Sequence, residues 1–307
     1  MNKLAVALSA FTLLAAAAGA AEARIVANEK DIPRQLSFGG ACRQCDLSGK
    51  KLVNARFTGA DFGGAALVRA DLRGASFVGS NFQSAHLADA DLSGAKMMGS
   101  NFSYADFTGA ELDGIEGAGA VFQKANFTRA SFEGAELPAV NFQGAKLVST
   151  SFRGAELPHA IMTQVQATGA SFRDAELVGA KLISATFTDA NFRDADLTGA
   201  MLLRSTFNNA DFRDADLTNA SLFGADLSKA RNLTQHQVNE ACSDNSTRLP
   251  NGLTPRLCKG RRMVVFKTPA PPEPPEPPRA PRQAQRSVAI QRQTTASCEA
   301  AVFLCPA

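Results

Sequence analysis

The chain has 307 residues, a formal net charge of +3, no Trp, one Tyr and 21 Phe. A chain of that length ordinarily makes about two globular domains. The even spread of Ala, Gly, Leu and Phe argues against that layout and points to an internal repeat.

The N-terminus reads as a processing segment. Lys3 gives a positive start, Leu4 to Ala18 form an apolar stretch, and two A-x-A cleavage options end at Ala20 and Ala23. The stretch falls short of the roughly 20 residues that a membrane span needs. Residues 1–23 are therefore expected to be a signal peptide, which leaves no stable membrane span and a periplasmic or secreted location. In an oxidising compartment the six cysteines read as candidate disulfides. They cluster as Cys42 with Cys45, Cys242 with Cys258, and Cys298 with Cys305. Sequential pairing is the simplest of about 15 connectivities. No βαβ pattern surrounds Cys42 and Cys45 to make a thioredoxin-like motif. The scattered His86, His159 and His236 offer no zinc set.

Residues 24–46 are expected to cap a strict five-residue beat that runs from Leu47 to Leu227. Of its 37 positions, 33 are Leu or Phe and two are Met (Met97, Met162), with Gly117 and Ala167 as the exceptions. Two residues earlier sits a small residue, nearly always Ala, and the other three places are polar or Gly. This period matches neither a helix nor a strand. It suits a chain that turns a corner every five residues and sends one large and one small side chain inward.

Ala60-Asp61-Phe62, Ala70-Asp71-Leu72, Ala190-Asn191-Phe192 and Ala215-Asp216-Leu217 resemble the pentapeptide repeat family, whose pattern is A-(D/N)-(L/F)-x-x. The resemblance implies an all-β fold, a right-handed quadrilateral β-helix of about nine 20-residue coils over residues 47–230. Phe recurs at 62, 82, 102, 122 and 142, and again at 132, 152, 172, 192 and 212, in keeping with that coil length. Where one column holds Phe the opposite one usually holds Leu, as close packing requires. Gly117 follows an enlarged Ile115, and Ala167 an enlarged Val165, so local volume is expected to be conserved.

Past the beat, Thr234-x-x-Gln237 forms a capping-box signature, so residues 231–260 are expected to make a C-terminal cap with a short helix from Thr234 to Cys242. Residues 261–307 are Pro-rich between Pro269 and Pro278 and read as an extended, disordered tail, with a small clip held by Cys298 and Cys305 as the alternative.

No catalytic motif and no cofactor-binding loop occurs, and the carboxylates sit in the outward slots of a convex repeat. The chain is expected not to be an enzyme and to need no cofactor or metal. One strip is a candidate for anion binding: Arg153, Arg173, Arg193 and Arg213 recur every 20 residues. Asp174, Asp194 and Asp214 follow them, so a self-neutralising corner is the competing expectation. Residues 45–230 carry 16 basic and 21 acidic side chains, whereas residues 231–307 carry 11 and 5. The expected role is a structural or interaction protein whose partner is an unknown protein or an anionic envelope component, not nucleic acid. The resemblance also implies an alternative, since some cytoplasmic members mimic duplex DNA and act on gyrase. The signal segment and interruptions such as Arg69, Arg129 and Lys181 argue against it here.

Overall fold

The computed structural model describes residues 40–258. The expected signal peptide and the Pro-rich tail lie outside the described residues. So do Cys298 and Cys305, whose expected disulfide the structure therefore does not address.

The residue preceding each large apolar one forms a parallel bridge to its counterpart 20 positions on, from Ala41↔Asp61 through Asp91↔Glu111 to Asp211↔Arg231. That register makes one coil of four pentapeptides and stacks the chain into a right-handed, four-sided β-helix. Backbone bonds run both ways between coils: Leu47 N–H donates to Ala66 O at 2.7 Å and Ala66 N–H to Cys45 O at 2.8 Å. The amide groups are thus satisfied without long strands.

Each corner is a tight turn. Phe62 C=O accepts from Ala65 N–H at 2.9 Å, and Gly64 between them has φ of 66°. A positive φ at this third place marks a type II turn. It recurs every five residues from Gln44 to Gly224, and Gly is only one of its occupants, since Tyr104 (63°), Arg129 (62°) and His159 (60°) adopt it too. The five-residue beat is therefore a beat of backbone handedness as well as of hydrophobicity.

The inward side chains are sealed, with Phe57, Phe62, Leu112 and Leu217 all at 0% exposure. Phenylalanines stack down the columns: Phe62 and Phe82 lie 4.7 Å apart at 9°, and Phe152 and Phe172 lie 5.1 Å apart at 3°. Neighbouring columns meet edge to face, as Phe77 and Phe82 do at 5.0 Å and 90°. Both geometries suit the ring quadrupole. The gap at Gly117 is filled, because a Cβ there would lie 2.6 Å from Leu137 Cδ2 and 3.9 Å from Ile115 Cδ1. Ala167 is likewise buried beside a buried Val165.

The start of the helix needs a correction. Ala41 and Asp46 already bridge to Asp61 and Ala66, so the first coil begins at Ala41 and not at Leu47. Cys42 and Cys45 occupy the large and small inward slots of that coil, and their disulfide closes one corner turn. The sequence beat hid this because Cys is smaller than Leu.

At the other end helix α1 (Gln235–Glu240) turns across the last coil, shorter than the expected span to Cys242. Thr234 and Gln237 form the capping box. Gln237 also donates from Nε2 to Phe212 O and Ala215 O, both at 2.8 Å, tying off carbonyls of the last coil. Val238 and Ala241 are fully buried beneath it. Cys242 bridges to Ser221 and Arg248 to Asp226, and the Cys242–Cys258 disulfide closes the cap. Four of the six cysteines thus pair sequentially, as Cys42 with Cys45 and Cys242 with Cys258, while the pairing of Cys298 with Cys305 stays an expectation from the sequence.

Candidate interaction surfaces of the rod

The sealed core leaves, among the described residues, only outer surfaces to carry function. Among the described residues no group of three or more His, Cys, Asp or Glu side chains is placed to hold a metal ion. No helix there is long and apolar enough to cross a membrane. A shallow cleft of about 730 Å³ opens beside α1, lined by Arg213, Asp216, Thr218, His236 and Glu240. It carries both signs of charge, and its floor residue Gln237 is committed to capping the coil.

The four arginines do form one ladder. Phe152, Phe172, Phe192 and Phe212 hold the inward slots of successive coils, which sets Arg153, Arg173, Arg193 and Arg213 about 4.8 Å apart at the adjoining turn. Asp174 Oδ2 stands 3.3 Å from Arg173 Nε and 3.8 Å from Arg153 Nε. Asp211 Oδ2 stands 4.0 Å from Arg193 Nε, which has no hydrogen-bond partner. These contacts are looser than the charge-assisted bond of roughly 2.7–2.9 Å. Arg73 shows the contrast, donating to both oxygens of Asp71 at 2.8 and 2.7 Å. Those bonds hold the Asp71 carboxyl below its usual range. In Asp211, burial pushes the carboxyl up, but the Asn232 amide at 2.7 Å, Arg213 N–H and nearby Arg193 outweigh it and keep it low.

The next face carries a second ladder, which the sequence alone did not single out. Glu116, Glu136, Glu156, Glu176, Asp196 and Asp216 are joined by five consecutive parallel bridges. Glu116 pairs with Lys96 at 2.6 Å, while Asp196 and Asp216 accept Thr198 and Thr218 N–H at 2.8 Å. Opposed like charges are unfavourable in a sheet, so this column is a charged surface rather than a stabilising device. Its signal was a run of acids at the slot before the large residue, visible only when the sequence is wrapped in twenties.

Matches to models of known families agree with this geometry. The pentapeptide repeats model (8 copies) matches residues 41–74, 67–103, 75–114 and 100–137. The pentapeptide repeat region model matches residues 135–212. Among solved structures the chain is similar to HetL, a pentapeptide repeat protein involved in heterocyst differentiation regulation from the cyanobacterium Nostoc sp. strain PCC 7120. The two share 23% identity over 64% of this chain and 93% of that one, at a TM-score of 0.34. A trypsin-treated form of QnrB1, a plasmid-mediated fluoroquinolone resistance protein, shares 21% identity over 64% and 90%, at a TM-score of 0.30. A pentapeptide repeat protein of the Arabidopsis thaliana thylakoid lumen shares 28% identity over 46% and 82%, at 0.21. No curated protein matches the chain. With the family models covering residues 41–212 and a bridge at every fifth residue, the chain belongs to the pentapeptide repeat family.

Proposed function

We propose that the chain is a non-catalytic interaction rod that works in an exported compartment. The observation that carries this is the sealed core: with inward residues buried from Leu47 to Leu227, the coils among the described residues offer only outward side chains that repeat once per turn of the β-helix. Disulfides near both ends of the described residues support an oxidising environment. The Arg153–Arg213 ladder is the strip offered to an anionic partner, because the guanidiniums of Arg153, Arg173 and Arg193 are held loosely by Asp174 and Asp211. Fractionation of a C-terminally tagged chain, with mass spectrometry of the mature N-terminus, tests the address. Cleavage after Ala20 or Ala23 and recovery outside the cytosol is the expected outcome, and an intact Met1 in the cytosol overturns it.

One observation favours a second reading, DNA mimicry toward gyrase: the acidic ladder from Glu116 to Asp216. Under that reading the purified chain inhibits DNA supercoiling, and a triple Gln variant at Glu136, Glu156 and Glu176 restores it. Supercoiling unaffected by the chain retires the idea.

A further inference from the structure

One face of the rod differs in chemistry from the charged ones. Its two outward columns over residues 81–143 read Asn81, Asn101, Val121, Asn141 and Gln83, Ser103, Gln123, Gln143, with no charge among them. The Asn side chains point their carbonyls inward along the chain: Asn81, Asn101 and Asn141 Oδ1 accept the N–H groups of Gln83, Ser103 and Gln143. The glutamine row faces solvent, and its members touch only lightly, with Gln123 Nε2 3.4 Å from Gln143 Oε1. An amide offers donors and an acceptor at once, so this row suits hydroxyl-rich, uncharged ligands.

Tyr104 stands at the edge of this row. It is 53% exposed, one of three exposed large apolar side chains among the described residues. It occupies the left-handed turn position, with φ of 63°, where many neighbours are Gly. A bulky residue there is strained, so an aromatic ring is held outward at a conformational cost that folding does not require. Lys124 Nζ lies 5.4 Å from the ring centroid and 3.5 Å from the Tyr104 hydroxyl, steadying the ring from the next coil. Ser84, on the coil before, is too short to cover the other side. Buried Ser103 is the short rung between Gln83 and Gln123, and its hydroxyl donates to Asn101 Oδ1 at 2.7 Å.

An exposed ring beside coils spaced about 4.8 Å apart, three of whose four outer rungs here are Gln, has the chemistry of a platform for sugar rings. We infer that this face binds a linear, neutral polysaccharide, with Tyr104 stacking on one sugar and Gln83, Gln123 and Gln143 bonding to hydroxyls along it. This rests on the reading of the chain as a binding rod and names one partner class for it.

The chain supplies its own reporter. With no Trp and one Tyr, its tyrosine emission reports on Tyr104 alone. Titrating the full processed chain with cellohexaose, and separately with the β-1,4-linked hexamer of N-acetylglucosamine, should give a saturable change with at least one of them. Glucose monomer should give none. A Gln123→Ala/Gln143→Ala variant keeps the reporter and should bind about tenfold more weakly or worse, the scale of losing an anchoring contact. Tyr104→Gly suits the positive φ, so it folds, and it should lose retention on the matching insoluble glycan. Because the ligand is neutral, retention should survive salt at about 1 M, where the screening length is near 3 Å. Silent emission with both hexamers, full retention of Tyr104→Gly, or elution by salt each overturns the inference. A chain recovered from the exported fraction yet silent toward glycans removes this proposal and leaves the binding rod intact.

Discussion

The Cδ2 of Leu137 lies only 2.6 Å from where a Cβ on Gly117 would stand. The two residues hold the same slot on successive coils, so Leu137 leans into the gap beneath it. Gly117→Ala should therefore destabilise by about 1–3 kcal/mol, the usual cost of overpacking. Combining it with Leu137→Ala should cost less than the sum of the two changes, because contacting residues are not additive. Urea denaturation of the two single variants and the double reads this directly, and simple additivity would show that the gap is not shared.

Handedness at the corner turns gives a second test. Gly94 has φ of 67° and no neighbour within 4 Å of an added Cβ, so Gly94→Ala probes the backbone alone. A loss of about 1–2 kcal/mol is expected, the cost of a left-handed L-residue. Ala139, at 55°, is the reverse case. Ala139→Gly should be neutral or stabilise by up to about 1 kcal/mol, since relief of that cost outweighs the entropy Gly adds to the unfolded chain. Thermal unfolding of the two variants beside the parent decides it, and equal losses in both would show that handedness is not what the corners select.

These corners show where the sequence was opaque. The inward residues were legible because Leu and Phe fill one slot in five with few exceptions, and the Phe columns agreed with the 20-residue coil that the family resemblance implied. The cap was legible from Thr234 and Gln237. The left-handed position was not, because Gly is diluted there by Arg69, Asp89, Lys124 and other polar residues that tolerate it. The acidic ladder and the amide face were hidden for a related reason. Outward residues contact their neighbours 20 positions away, as Glu136 does Glu156, so nothing in a local window reveals their company.

Buried hydroxyls edit individual turns. Ser205 Oγ accepts Ala185 N–H at 2.9 Å and donates to Leu182 O at 2.7 Å, inserting itself where other corners bond directly. Ser80 does the same between Ala60 and Phe57, at 3.2 Å each. Ser205→Ala should cost about 1 kcal/mol, a typical net hydrogen bond, and should speed hydrogen exchange at the Ala185 amide. Unchanged exchange would mean the turn simply closes.

The disulfide from Cys242 to Cys258 spans 16 residues and staples the cap to the final coil. Replacing both with Ser should destabilise the cap by about 3 kcal/mol on the loop-entropy scale. Because a solenoid couples mainly to its neighbours, exchange protection should fall around Val238 and Ala241 while the amides near Phe132 keep theirs. Uniform loss across the rod would show that the cap governs the whole array.

Asp244 ties that cap to the rod by charge, and pH should expose it. Burial pushes its carboxyl up, yet the hydroxyls of Ser246 and Thr247, each 2.8 Å away, and the N–H groups of Gly224 and Ser246 at 3.1 Å bring it down to about 2. An unfolded Asp titrates near 3.9, so the folded form binds its proton less readily. The contribution is then fully present above roughly pH 5 and is lost as pH falls from about 4 through 2. Acid should loosen the last coil in that window, seen as faster exchange at the Gly224 amide. Asp244→Asn should weaken the cap at neutral pH and flatten its dependence below pH 4. If variant and parent lose protection in parallel there, other carboxylates such as Asp226, also held low by Ser228, carry the effect.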